Sequence, residues 1–192
     1  MTRFDEAIDA VFEPLRGQPQ VDHTAAVVSN LADYGLVWVV LALWKARRRG
    51  PNRRRAIAAL GLAGVSSYTV NRAVKSAVQR QRPDDHLEAS VRAPSTSSFP
   101  SGHTLAAFCT AFALAESAPA TAAYAGFAGA VAASRVHLRA HHPSDVVGGM
   151  AIGSLLGVAV RPVLNRLAPG SRRRLARTTK GMGPDSYLLK RS

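Results

Sequence analysis

The amino-acid sequence predicts an all-α protein, an integral-membrane bundle of about five transmembrane helices (range four to six) that follows an N-terminal amphipathic helix. The first supporting observation is that stretches rich in Ala, Val, Leu and Gly alternate with blocks of charge along the chain. The second is that Lys and Arg, which give a net charge of +13, are concentrated in two of these blocks. A length of 192 residues fits one domain better than two.

Residues 1–17 carry apolar side chains at helical spacing and predict the amphipathic helix, which Pro14 and Gly17 end. The sequence leaves open whether this helix packs on the bundle or lies in the membrane interface. Five apolar segments follow at about 24–44, 56–74, 104–116, 118–133 and 146–160. Several are shorter than the roughly 20 residues of an ideal span, so a soluble bundle of Ala-rich helices is the alternative.

Three glycines in the last apolar segment predict a close helix contact. Gly149, Gly153 and Gly157 lie four residues apart and therefore share one helix face. Small residues at this spacing allow two helix backbones to approach each other. The single cysteine, Cys109, excludes an intrachain disulfide and a cysteine metal site, and we expect it to be a buried apolar residue.

Two clusters of basic residues predict which ends of the helices face the cytoplasm. One lies between the first two segments and the other follows the fifth. They comprise Lys45, Arg47, Arg48, Arg49, Arg53, Arg54 and Arg55, and then Arg166, Arg172, Arg173, Arg174 and Arg177. Because cytoplasmic loops carry an excess of Lys and Arg, five spans place 75–101 and 134–145 outside the cell membrane. We expect a membrane-embedded domain at 18–167, and a poorly ordered basic tail at 168–192 that binds anionic lipids together with the basic loop.

A lysine and an arginine seven residues apart open the first outer stretch. A step of seven residues in a helix returns to nearly the same face, so Lys75 and Arg82 can point to one place. Pro83 is expected to end that helix. Two converging cations suit an anion, and a guanidinium matches the oxygens of a phosphate group.

A Pro-Ser-Gly-His sequence at 100–103 stands directly before the third apolar segment and predicts a helix N-terminus. Free backbone N–H groups and the helix dipole attract an anion there. Gly102 lets the backbone approach a ligand closely, and Ser101 can cap the helix and donate its hydroxyl to a phosphate oxygen. His103 is placed to reach a leaving oxygen.

The second outer stretch contains Ser134-Arg135, then His141 and Asp145. Since Asp145 follows His141 by four positions, its carboxylate can meet the imidazole in helical or near-helical backbone. Such a hydrogen bond fixes one ring nitrogen as the proton carrier and leaves the other free to attack. Arg135 would supply a third cation.

Together these three groups resemble the type 2 phosphatidic acid phosphatase superfamily, which includes the vanadium haloperoxidases and bacterial acid phosphatases. The family pattern Lys-x6-Arg-Pro, Pro-Ser-Gly-His, Ser-Arg-x5-His-x3-Asp is complete here between residues 75 and 145. The resemblance implies that His141 is a nucleophile forming a phosphohistidine, that Asp145 orients it, and that His103 is the general acid. It also implies that phosphate is bound by Lys75, Arg82, Ser101, Gly102, Arg135 and Ser134.

The expected activity is metal-independent hydrolysis of a phosphomonoester or diphosphate of a phospholipid or polyprenyl carrier, without a cofactor, at the outer membrane face. The alternatives are a vanadate-dependent haloperoxidase-like enzyme, whose relatives are larger and soluble, and a basic nucleic-acid-binding protein. The second alternative suits the Arg runs but leaves the pattern at 75–145 unexplained, so we expect no nucleic-acid partner. The sequence does not decide the lipid, the oligomeric state, or the roles of His86, His137 and His142. Asp84 and Asp85 replace a second Arg-Pro that relatives often carry, which leaves the headgroup preference open.

Overall fold

A computed structural model describes residues 2–32, 35–47, 51–83 and 97–167, and every regular element in these ranges is a helix. The prediction of an all-α fold is therefore confirmed. The elements are α1 (Arg3–Phe12), a 3-10 turn (Glu13–Leu15), α2 (Pro19–Ala32), α3 (Leu36–Ala46), α4 (Pro51–Val78), α5 (Gly102–Leu114), α6 (Ala118–His137), α7 (Pro143–Ala159) and α8 (Arg161–Leu167). The tail predicted at 168–192 lies outside the described residues, as do Asp84, Asp85 and His86.

Helix α1 begins with a reciprocal cap. The Thr2 side chain accepts a hydrogen bond from the backbone N–H of Asp5, and the Asp5 carboxylate accepts one from the backbone N–H of Thr2. The helix packs against α6 and α7, and Arg16, just after it, donates to the carbonyl oxygens of Val136 and His137 at 3.1 Å. Of the two placements that the sequence left open, the structure shows packing on the bundle.

The first apolar segment is not one continuous helix. Helix α2 ends at Ala32 and α3 begins at Leu36, and the two helices are bent by 58°. Gly35, at the start of α3, has a φ of 67°, a left-handed conformation that glycine adopts without a steric penalty. The other four segments correspond to α4, α5, α6 and α7, which have 28, 13, 20 and 17 residues.

Helix α5 lies at the centre of the bundle, between α4, α6 and α7. Cys109 and Leu105 on α5 are fully buried, as expected for the cysteine. A Cβ atom added to Gly149 or Gly157 of α7 would stand 2.8 Å from the Ser101 carbonyl oxygen or 2.5 Å from the Cys109 carbonyl oxygen. Gly153, between them, packs equally tightly against Leu105. The close helix contact predicted from the glycine spacing is confirmed.

Basic side chains surround the C-terminal end of α5. Lys45 Nζ and Arg55 Nε lie 3.3 and 3.1 Å from the two carboxylate oxygens of Glu116. Arg161 Nε donates to the carbonyl oxygen of Phe112 at 2.9 Å. Cations here complement the free carbonyl groups and the negative end of the helix dipole.

Helices α7 and α8 form the one described helical stretch that is by itself long and apolar enough to cross a membrane. This stretch, Pro143–Leu167, has 25 residues and a mean hydropathy of 1.7 over its apolar part. The bent pair α2 and α3 meets the same criterion jointly, whereas α5 is apolar but has 13 residues. Length and composition of the described helices thus support one or two spans, and the count of five stays a prediction.

Candidate active site

The three residue groups singled out in the sequence meet at one end of the bundle, around His141. The side chain of His141 is buried at the junction between α6 and α7. Its Nε2 atom lies 3.4 Å from Arg82 Nη1, and its Nδ1 atom lies 3.8 Å from Asp145 Oδ2. One ring nitrogen therefore faces a cation and the other faces a carboxylate.

Asp145 is held as the third residue of α7. Its carboxylate reaches back to the N–H of His142 at 2.9 Å, which is the reciprocal capping arrangement of a helix start. The same oxygen, Oδ2, accepts a hydrogen bond from the Ser98 hydroxyl, which also lies 3.5 Å from His141 Nδ1. The 3.8 Å between His141 and Asp145 is longer than a hydrogen bond. The predicted pair is close, but Ser98 provides the short hydrogen bond in this state.

Burial and neighbouring charges fix the protonation of the pair. Burial lowers the pKa of His141 to about 3, and the charges of Arg82 and Arg135 act in the same direction, against the effect of Asp145. The Asp145 carboxylate faces donors and a cation: it accepts hydrogen bonds from the Ser98 hydroxyl and the His142 N–H, and it pairs with Arg80. At neutral pH the imidazole is thus uncharged and the carboxylate is ionised, as a nitrogen nucleophile requires.

Lys75 and Arg82 do converge, but not along one helix. Helix α4 ends at Val78, and Gln79 has a φ of 46°, so Arg82 lies beyond the helix and Pro83 does not end it. The prediction that Lys75 and Arg82 share one face of a continuous helix was therefore wrong. Instead, residues 79–83 turn back and pair with 97–98: the N–H of Ser98 donates to the Arg80 carbonyl oxygen at 2.7 Å.

The two cations are close enough to influence each other. Burial lowers the pKa of Lys75 to about 8, and the charge of Arg82 contributes to this shift. Lys75 Nζ donates to the Ser97 carbonyl oxygen at 2.6 Å, and Arg82 Nη1 donates to the Ala140 carbonyl oxygen at 2.8 Å. Arg82 Nε is buried and has no hydrogen-bond partner in the described part of the chain. A phosphate oxygen would satisfy such a donor.

The Ser134-Arg135 pair separates into one residue near His141 and one whose hydroxyl is engaged elsewhere. Arg135 is buried, its charge contributes to the lowered pKa of His141, and its Nη1 donates to the Ser29 hydroxyl of α2. The Ser134 hydroxyl donates to the Val131 carbonyl oxygen in its own helix at 2.7 Å. A phosphate contact by Ser134 stays a prediction.

The Pro-Ser-Gly-His sequence does form a helix N-terminus, with Ser101 at the cap position of α5. The Ser101 side chain does not cap the helix, because its hydroxyl is buried and accepts a hydrogen bond from Thr104 Oγ1 at 3.0 Å. The Ser101 N–H donates to the Asp145 carbonyl oxygen at 3.0 Å, which ties α5 to α7. Gly102 and His103 occupy the first turn of α5, and a Cβ on Gly102 would lie 3.1 Å from Asn71.

Sequence reasoning missed three polar residues that contact predicted site residues, Ser29, Arg80 and Ser98, and a fourth, Asp5, that contacts Arg80. No spacing rule relates them to the motifs. A polar residue inside an otherwise apolar segment, such as Ser29, was the one available signal. In the described ranges no cluster of three or more His, Cys, Asp or Glu side chains forms a metal site.

The structure places two of the histidines whose roles the sequence left open, His137 and His142. His137 Nε2 lies 2.7 Å from Asp22 Oδ1, and its ring packs 6.4 Å from that of Phe12. His137 is therefore part of the contact between α2, α6 and the N-terminal segment. His142 is the cap residue of α7.

The lowered pKa of Lys75 predicts an alkaline limit to activity. Lys75 is protonated below about pH 8 and loses its charge as the pH rises through that value. We therefore expect kcat/KM for a phosphate ester to fall above about pH 8, because a positive charge beside the phosphate is lost. In Lys75→Arg the guanidinium stays charged, so this decline should disappear when kcat/KM is measured from pH 6 to 10. An unchanged decline in that variant would contradict the assignment to Lys75.

A buried neutral histidine with a carboxylate behind it and cations nearby is an arrangement that suits phosphoryl transfer. Residues 55–168 match the family model described as the PAP2 superfamily, and this chain belongs to that superfamily. Among curated proteins, the decaprenylphosphoryl-5-phosphoribose phosphatase of Mycobacterium tuberculosis is 32% identical over 155 residues, which is 80% of this chain and 86% of that protein. The Mycolicibacterium smegmatis enzyme of the same name is 32% identical over 146 residues, 76% of this chain and 80% of that protein. The chain is thus a phosphoric ester hydrolase.

Two solved structures share its fold. One is a transmembrane PAP2-type phosphatidylglycerolphosphate phosphatase from Bacillus subtilis, with a TM-score of 0.66, 24% identity, and coverage of 86% of this chain and 88% of that one. The other is LpxE from Aquifex aeolicus, with a TM-score of 0.66, 23% identity, and coverage of 82% and 94%. This likeness shows a shared fold, and the described stretch Pro143–Leu167 is long and apolar enough to cross a membrane.

Proposed function

We propose that this protein is a metal-independent lipid phosphatase that acts through a phosphohistidine at His141. The observation that carries this proposal is the buried, uncharged His141, with Nε2 near Arg82 and Nδ1 near Asp145. A neutral imidazole needs no prior deprotonation to attack phosphorus, and the carboxylate stabilises the positive ring that forms.

In the proposed reaction, His141 Nε2 donates its electron pair to phosphorus as the bond from phosphorus to the ester oxygen breaks. His103, in the first turn of α5, gives its proton to the departing oxygen. A water molecule then attacks the phosphohistidine, which releases phosphate and restores the neutral ring, and its proton returns to His103. Lys75, Arg82 and Arg135 stabilise the charge that develops on the phosphoryl oxygens.

We propose that the substrate is a lipid phosphate. The favoured lipid is a polyprenyl carrier, and the alternative is a phospholipid. The curated relatives support this choice, since their names specify a decaprenylphosphoryl-5-phosphoribose. An apolar groove of about 490 Å³ between the N-terminal segment, α2 and α6 also supports it. Phe12, Leu15 and Val28 line this groove, together with Ser134 and His137. Ser134 directly precedes Arg135 in the sequence. A lipid tail in the groove would leave its headgroup near the site.

We further propose that the site faces the outer side of the cell membrane in a multi-pass protein. The predicted topology supports this orientation, because both basic clusters fall on the opposite side. Lys45 and Arg55 of the first cluster surround the C-terminal end of α5, whereas the site lies at its N-terminal end. The first basic cluster and the candidate active site thus lie at opposite ends of α5.

The test is phosphate release from four lipids in detergent micelles, with His141→Ala as the blank. The panel comprises phosphatidate, phosphatidylglycerol phosphate, decaprenyl diphosphate and decaprenylphosphoryl-5-phosphoribose. We expect release from at least one lipid, with a polyprenyl substrate fastest, and no change on addition of EDTA. Equal release by the wild type and the blank, or loss of activity in EDTA, would contradict the proposal.

A further inference from the structure

A buried carboxylate on α1 lies behind the catalytic carboxylate. Asp5 is fully buried, although α1 is otherwise largely exposed. Its Oδ1 accepts a hydrogen bond from the Ser144 N–H at 2.8 Å, and its Oδ2 is 2.9 Å from Arg80 Nη2. A buried charge is costly unless it is paired and hydrogen-bonded, and both oxygens of Asp5 are engaged.

Arg80 bridges Asp5 and Asp145. Its Nη1 lies 2.8 Å from Asp145 Oδ1 and 2.6 Å from the Ser144 hydroxyl, while its Nη2 contacts Asp5. The Arg80 backbone is fixed as well, because its N–H donates to the Ser97 hydroxyl at 3.0 Å. Arg80 thus contacts Oδ1 of Asp145, whereas Ser98 and His141 lie at Oδ2.

We propose that Asp5 and Arg80 are a positioning pair, which fixes the orientation and the charge of Asp145 and thereby the ring of His141. Helix α1 then supplies one positioning residue and is not only an attachment to the bundle. This inference rests on the proposed function of His141 as the nucleophile. Neither residue belongs to the sequence pattern at 75–145.

The charges explain why two carboxylates share one arginine. Asp5, Arg80 and Asp145 together carry one net negative charge. Burial by itself would raise the pKa of Asp5, but hydrogen bonds from Ser144, Thr2 and Arg80 hold it well below its ordinary value. Without the Asp5 charge, Arg80 would neutralise Asp145 alone. The positive ring that forms as His141 bonds to phosphorus would then be less stabilised. The cations that bind phosphate would be unaffected, so kcat should change more than KM.

The experiment measures kcat and KM on the fastest of the four panel lipids, per mole of folded enzyme. Asp5→Asn keeps the shape of the side chain but removes its charge and replaces one of its two acceptor oxygens by an NH2 donor. We expect it to lower kcat on the order of 10-fold and to leave KM within about two-fold. Glu6→Gln is the matched control, because it removes the same charge from an exposed neighbour on α1. This control should retain wild-type kcat.

A second pair of variants tests whether Asp5 acts through Arg80. We expect Arg80→Gln to lower kcat at least as much as Asp5→Asn does, because Asp145 then loses the arginine at Oδ1 that fixes its orientation. In the double variant the buried Asp5 charge is removed together with its partner, so kcat should be no lower than in Arg80→Gln alone, because residues of one network are not additive. Arg80→Lys keeps one charge without the bridging geometry and should be intermediate.

Three results would overturn the positioning pair. These are a wild-type kcat in Asp5→Asn with only a lower melting temperature, a change in KM alone, and multiplicative effects in the double variant. The proposed function fails separately, since its failure is phosphate release by His141→Ala. If that blank is inactive and Asp5→Asn is fully active, only the inference about α1 is wrong.

Discussion

His141→Ala is expected to lower kcat/KM for the preferred lipid phosphate by at least about 10⁴-fold, the scale seen when a covalent nucleophile is removed. The substitution takes away the Nε2 atom near Arg82 and leaves the three cations in place. Binding of substrate should persist, so the loss should fall on kcat. Removal of a buried, uncharged side chain leaves a cavity but no unpaired charge. The variant should therefore fold, and the initial rate of phosphate release measures the effect.

His142→Ala is the matched control for this prediction. His142 is adjacent in sequence, and its contribution to Asp145 is a backbone N–H that alanine also provides. We expect this variant to retain kcat within about an order of magnitude. With substrate labelled on phosphorus, an acid-labile label on the protein should appear in the wild type and in His142→Ala only. Label retained in His141→Ala would assign the nucleophile to another residue.

Gly153→Ala is expected to destabilise the fold strongly. The new Cβ would overlap the Leu105 carbonyl oxygen and lie 3.1 Å from Leu105 Cα. Both are backbone atoms of α5, so the two central helices must separate. Overpacking of this kind costs about 3 kcal/mol, which corresponds to a melting temperature lower by roughly 6 to 12 °C. Thermal unfolding in detergent measures the shift.

Gly126→Ala serves as the control for that substitution. Gly126 lies in the middle of α6, is exposed, and has no atom within 4 Å of an added Cβ. Alanine should there stabilise the helix by about 0.5 to 1 kcal/mol, because glycine loses more backbone entropy on folding. The two glycine substitutions should thus move the melting temperature in opposite directions. A higher melting temperature in both variants would contradict the tight contact between α5 and α7.

Local patterns were sufficient for four of the helices and for several residues that meet around His141. Apolar runs correctly predicted α4, α5, α6 and α7, and the four-residue glycine spacing predicted the face of α7 that meets α5. Residue spacing also selected His141 over His142, and the structure brings His141 together with Arg82 and Asp145. Each of these features lies within one helix or one loop, so the spacing of residues close in sequence is enough to predict it.

Predictions that treated a segment in isolation were less successful. The continuous first segment is broken at Gly35, and Arg82 lies beyond the end of α4. Ser101 occupies the cap position of α5, but its hydroxyl is bonded to Thr104. In each case a backbone turn or a side-chain partner, which periodicity does not encode, changed the local geometry.

The sequence by itself determined the helical class, the superfamily and three of the side chains that the structure brings together, Arg82, His141 and Asp145. Only the tertiary structure decided what surrounds Asp145: Ser98, Arg80 and, from the first helix, Asp5. The physical reason is distance along the chain. Asp5 and Ser144 are 139 positions apart, and a hydrogen bond between them follows from how helices pack, which leaves no regular spacing in the sequence.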